Sequence, residues 1–141
     1  MTTEILLTWA LRLAGTGFAL LVLANFLAAR ELRYAENTAR METIPRQIFY
    51  VHSAYIVALV SVMAVACFVF TAEFIEGGES TARGLVLFMA VFWLSRLVIQ
   101  LTYYDKAARR ERPFLNALFA AGFGYFAALF GALTLRHFGF W

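Results

Sequence analysis

Four stretches of this chain, about residues 5–29, 47–71, 82–104 and 114–135, are each apolar over roughly the 20 residues a helix needs to cross the hydrocarbon layer of a membrane. Between them they take up most of the sequence, so the connections are too short to form a soluble domain. Of the 141 residues, 62% are hydrophobic and 15% are charged. Average soluble domains run about 45–50% apolar and about 25% charged. A chain this short cannot hide that much apolar surface within itself, and lipid must cover the remainder. The mean hydropathy of +0.72 agrees. The expected architecture is all-α: an integral membrane, antiparallel four-helix bundle forming a single transmembrane domain.

The connections carry punctuation that fits this reading. Pro45 and Pro113 stand near the starts of the second and fourth helices, where a missing N–H costs little. Gly77-Gly78 interrupts the chain ahead of the third, and Ser80 or Thr81 is the expected cap. The first segment lacks the positive leader and the shorter apolar core of a cleaved signal peptide, so a retained helix is expected there.

Charge then sets the orientation. The first connecting loop holds Arg30, Arg33, Arg40 and Arg46, and the third holds Lys106, Arg109, Arg110 and Arg112. The opposite face has Arg83 and Arg136 together with acidic Glu4, Glu73, Glu76 and Glu79. Basic loops stay in the cytoplasm. Loops 30–46 and 105–112 are therefore expected on the cytoplasmic face of the inner (plasma) membrane, with both termini on the non-cytoplasmic side. The net charge of +3 is accordingly a topology signal, and no nucleic-acid partner is implied. The partners expected are the lipid bilayer and either other membrane subunits or further copies of the chain. Small residues recur along helix four at Ala117, Ala121, Gly124, Ala128 and Gly131, and along helix one at Ala10, Ala14 and Gly17. Such stripes let helices approach closely in lipid, and these two helices are expected to meet, within one copy or between copies.

No soluble catalytic motif is present: there is no phosphate-binding loop, dinucleotide fingerprint, nucleophile elbow or zinc-type Cys/His spacing. The lone Cys67 sits within an apolar run and reads as a small packing residue. What distinguishes the chain is a set of polar side chains at membrane depth, where ionisable groups cost about 2.5–3.5 kcal/mol to insert. Arg96 lies roughly 12 Å inside the cytoplasmic end of helix three, at 1.5 Å per residue. Gln100 follows one turn later on the same face, and Trp93 precedes it by three residues, placed to stack on the guanidinium. His52 lies roughly 8 Å into helix two, with Tyr55 on its face. Asn25 and Asn116 stand near the cytoplasmic ends of helices one and four.

If these residues face one another they form a polar pocket open to the inner leaflet. Arg96 would bind an anion or polarise a carbonyl, His52 would exchange a proton or serve as an axial metal ligand, and Gln100, Asn25 and Asn116 would orient the ligand. A quinone, a haem, a pigment or a bound lipid suits that chemistry. The bland alternative is that Arg96 snorkels to the cytoplasmic phosphates and His52 bonds a neighbouring carbonyl. His137, past helix four, is expected to be exposed and on the opposite side from His52, so the two cannot hold one haem between them within a monomer.

Three roles follow in order. The first is an accessory or structural subunit of a larger membrane complex or homo-oligomer. The second is a ligand- or redox-cofactor-binding membrane protein. The third is an oligomeric transporter or channel, which the absence of acidic residues deep in any span disfavours.

Overall fold

The computed structural model describes residues 2–103 and 113–140. The loop arginines at 109, 110 and 112, with Lys106 and Tyr104, lie outside the described residues, as does the part of the basic connection they form. Among the described residues the chain is all-helical: α1 (Thr2–Glu31), α2 (Tyr34–Thr38), α3 (Thr43–Val69), α4 (Thr71–Glu76), α5 (Ser80–Thr102) and α6 (Pro113–His137). Four of these, α1, α3, α5 and α6, are long and apolar enough to cross a membrane. Each extends beyond the apolar run at one end or both, because polar residues at a helix end keep helical geometry as long as their carbonyls find partners. Two short helices lie where the sequence suggested only loops. Pro45 is the third residue of α3 and Pro113 the first of α6, positions where the ring's fixed φ suits a helix start. Helix α5 begins at Ser80 behind an extended Glu79 with no side-chain cap, so neither Ser80 nor Thr81 takes the capping position.

Most of each span's surface is uncovered: only 17–28% of the most apolar stretch is buried in any of the four. Along α1 alone, Leu6, Trp9, Leu13, Leu20, Phe26 and Leu27 are exposed. Water does not tolerate a contiguous apolar face of this size; a bilayer does. Seven serine and threonine hydroxyls of the long helices bond their own helix. Thr8, Thr16, Ser53, Ser61, Thr102 and Thr134 each donate to the carbonyl four residues back, and Ser95 to the carbonyl three back, at 2.7–2.9 Å.

The chain divides into two compact units, Met1–Leu11 with Phe70–Trp141, and Arg12–Val69. In the first, α5 buries Ala82, Val86, Met89, Trp93 and Gln100, a repeat of three and four residues that marks one helix face. Its partner α6 buries Phe123, Phe126, Leu129, Phe130 and Leu133. Trp93 stacks on Phe123 (centroids 5.6 Å apart, planes at 29°) and leans on Phe126 at 4.8 Å. Each such ring pair adds about 0.5–1.5 kcal/mol beyond area burial, useful in lipid, where hydrophobicity no longer drives helices together. Tyr125 Oη donates to the Ala10 carbonyl at 2.8 Å, tying α6 to the first turns of α1. The glycines of the α6 stripe do not share in this packing: a Cβ built on Gly124 or Gly131 would meet nothing within 4 Å.

The second unit holds the body of α1 together with α2 and α3. The close approach there is at Gly15, where a Cβ would stand 2.8 Å from a Phe68 ring carbon and 3.1 Å from Cys67 Cβ. Cys67 is fully buried, as a packing residue should be. Helix α2 follows a left-handed turn at Arg33 (φ 48°) and is pinned to α3 by Thr38. The Thr38 hydroxyl donates to the Tyr34 carbonyl at 2.6 Å, so Tyr50 Oη is the donor in the 3.0 Å bond between the two side chains. The Tyr34 and Phe49 rings meet edge to face beside it.

Candidate functional site

The residues singled out in the sequence fall into two groups. In the first unit, Trp93, Arg96 and Gln100 follow one another at spacings of three and four along the inward face of α5. Trp93 is buried among aromatic rings, so it forms part of the core against α6 and does not line a cavity. Arg96, half-buried, places its guanidinium carbon 5.3 Å from the centroid of Phe123. A cation over a ring is worth about 0.5–2 kcal/mol according to how far it is desolvated. Phe123 thus serves two neighbours, the indole of Trp93 and the guanidinium of Arg96. Sequence reasoning missed it, because one phenylalanine among fifteen carries no signal of its own.

One turn further along, Gln100 is 9% exposed. Its Nε2 donates to Asn116 Oδ1 across the hairpin at 2.9 Å. A carboxamide buried without a partner would be costly; matched with another it becomes a fixed polar point between α5 and α6. The pair brings an amide oxygen and amide protons together one turn along α5 from Arg96. Chemically, this end of the hairpin can orient a group bearing carbonyl or phosphate oxygens.

Asn25, His52 and Tyr55 belong to the second unit. Asn25 is exposed, and its Nδ2 donates to the Leu21 carbonyl one turn back at 3.1 Å. Tyr55 is 73% exposed. His52 is also exposed, and its Nδ1 stands 2.9 Å from the Ile48 carbonyl. A carbonyl only accepts, so Nδ1 is the donor.

His137 departs from expectation. It is half-buried, not exposed, and closes a knot with the segment before α5. Its Nε2 is 2.9 Å from the Phe74 carbonyl and must be the donor. Its Nδ1 is buried, with no hydrogen-bond partner among the described residues. Gly77 lies directly beneath the ring, at φ 63°, and a Cβ there would fall 2.2 Å from His137 Cδ2. The Gly77 N–H bonds the Glu73 carbonyl, and its own carbonyl takes a hydrogen bond from Arg83 Nε. The glycine pair read as a simple breaker is half of a tertiary contact. Among the described residues no three His, Cys, Asp or Glu side chains gather as a metal site. No known protein family, no curated protein and no solved structure matches this chain.

Proposed function

We propose that this chain is a small multi-pass protein of the inner membrane, its basic loops cytoplasmic and its termini outside, that works as an accessory or structural subunit of a larger membrane complex or of a homo-oligomer. The observation that carries this reading is the uncovered α6 stripe, where Gly124 and Gly131 face open space. In lipid, small residues stabilise a helix pair by letting backbones approach, and two glycines on one face give up helix propensity worth about 1 kcal/mol each with no close contact among the described residues in return. Native mass spectrometry of the full chain, extracted gently from its own membrane, tests it. A higher assembly, homomeric or with other chains, is expected. It should be lost in Gly124→Leu/Gly131→Leu while helix content and monomer stability hold. A parent that runs as a bare 15.9 kDa monomer would overturn the proposal.

A second reading, binding of a quinone, haem, pigment or lipid, is favoured by the Gln100–Asn116 pair next to Arg96. In lipid a buried carboxamide pair yields only about 0.6–1.7 kcal/mol, and a ligand with acceptor oxygens would add bonds to the amide protons there. Lipidomic and cofactor analysis of the purified chain, parent against Arg96→Ala and Gln100→Leu, checks this: retention should fall in both variants.

A further inference from the structure

The connection between α1 and α3, residues 30–46, is a built element and not a slack loop. The Leu32 carbonyl takes a hydrogen bond from Asn37 Nδ2 at 2.7 Å, and the Arg33 carbonyl takes one from the Asn37 N–H at 2.9 Å. Tyr50 Oη bonds Thr38 from the far side at 3.0 Å. Tyr50 stands about 10 Å along α3 from Thr43, at 1.5 Å per residue. Helix α2 therefore folds back beside the first turns of α3, level with the rings of Tyr34, Phe49 and Tyr50. Tyrosines near the end of a span mark the headgroup layer of a bilayer.

Two kinds of side chain are exposed on this connection, and they ask for different surroundings. Leu32, Met41 and Ile44 are apolar, at 48%, 39% and 69% exposure. Arg30, Arg33 and Arg40 are cations. Arg30 and Arg40 make no ion pair among the described residues, and Arg33 makes an exposed one with Glu36 at 3.4 Å. An exposed pair of that kind is weak, so Arg33 can exchange its partner. Water suits the cations alone, and lipid tails suit the apolar residues alone. The boundary of an anionic leaflet suits both. Glu31, Glu36 and Glu42 leave the four arginines of the connection one charge ahead. Diffuse attraction is thus slight, and contact has to be made one guanidinium at a time, each planar fork matched to a phosphate.

Arg33 adds a separate signal. At φ 48° and ψ 51° it is, among the described residues, the only non-glycine with a positive φ. Glycine takes that conformation freely, and a residue with a Cβ does not. An arginine there gives up backbone stability, which a use for its side chain would offset.

We infer that the α1–α3 connection docks on anionic phospholipid headgroups, with Arg30, Arg33 and Arg40 on lipid phosphates and Leu32, Met41 and Ile44 at the acyl boundary beside them. The site goes beyond the subunit and ligand readings and uses none of the residues at Arg96, Gln100 and Asn116.

The test is a native mass spectrometry titration of the delipidated full chain with phosphatidylglycerol and, separately, with phosphatidylcholine bearing the same acyl chains. The parent should bind the first phosphatidylglycerol at least about tenfold more tightly. An arginine at a charged membrane surface is worth about fivefold. Arg30→Gln, Arg33→Gly and Arg40→Gln should each lower the preference by up to that factor, and the triple variant should abolish it. Arg33→Gly should do so while unfolding no more easily than the parent, because it relieves the left-handed residue. Arg96→Ala and Gln100→Leu should keep the preference. A parent with no preference would overturn the inference, and so would a preference that the triple variant retains. If the triple variant retains it and Arg96→Ala loses it, the anionic lipid belongs at α5 and α6 and this site is sunk. Displacement of the lipid by millimolar inorganic phosphate would also overturn it, since the site would then be one for the free anion.

Discussion

The knot around His137 and the strip around His52 are built from the same residue type with the same kind of bond, an imidazole N–H to a main-chain carbonyl. In the knot the carbonyl is remote in sequence, that of Phe74, and the ring is boxed in by a glycine that has no room for a methyl group. In the strip the carbonyl is four residues away on the same helix, and the ring stands among exposed side chains. A long-range bond made by a boxed ring fixes tertiary structure. A local bond made by an open ring fixes only a tautomer. The first histidine should therefore matter for stability and the second much less.

Four substitutions press on that contrast, and the largest effect is expected at Gly77. Gly77→Ala forces a left-handed residue to carry a Cβ that collides with the His137 ring, at about 1–2 kcal/mol for the conformation and about 1–3 kcal/mol for the overlap. Denaturant unfolding in mixed micelles should register the sum. In a His137→Ala background only the conformational part should remain, and a double-mutant cycle would show the difference as coupling. His137→Ala alone removes the bond to Phe74 and opens space over Gly77, for a loss of about 1–2 kcal/mol in the same assay. Equal costs for Gly77→Ala in both backgrounds would show that the ring does not set the glycine requirement. Gln100→Leu leaves Asn116 without its partner and should cost about 0.6–1.7 kcal/mol, near the range for polar contacts in membrane proteins. The smallest effect belongs to His52→Ala, within about 0.5 kcal/mol, as for exposed positions generally. A destabilisation as large as that of His137→Ala would erase the distinction between the two regions.

The four long helices were legible because an apolar run of some twenty residues has few other uses, and Pro45 and Pro113 marked two starts correctly. The short helices α2 and α4 were not. A segment of five or six residues has little intrinsic helicity, and α2 is held by the partners that Thr38 and Tyr34 find on α3, Tyr50 and Phe49. At the site, the shared face of Trp93, Arg96 and Gln100 followed from helical spacing, and the carboxamide pair lies where both residues approach the same end of the hairpin. The roles within that face depended on rotation: Trp93 joins the core, and Phe123 lies against the guanidinium. On helix one Gly15, which the small-residue stripe did not include, is the residue that meets Cys67 and Phe68. A period of 3.6 residues leaves neighbouring small residues nearly equivalent until a partner helix selects one. His137 was misjudged because nothing local reveals a bond to a carbonyl 63 residues away.

The self-bonded hydroxyls of the long helices bear on permeation. Thr8, Thr16, Ser53, Ser61, Ser95, Thr102 and Thr134 have each given their proton to their own helix, so what they retain is lone pairs. At these seven positions a solute would meet acceptors. An anion would have to break a hydroxyl free of its carbonyl at every step, at about 1 kcal/mol each, while the lipid tails these faces meet ask nothing of them.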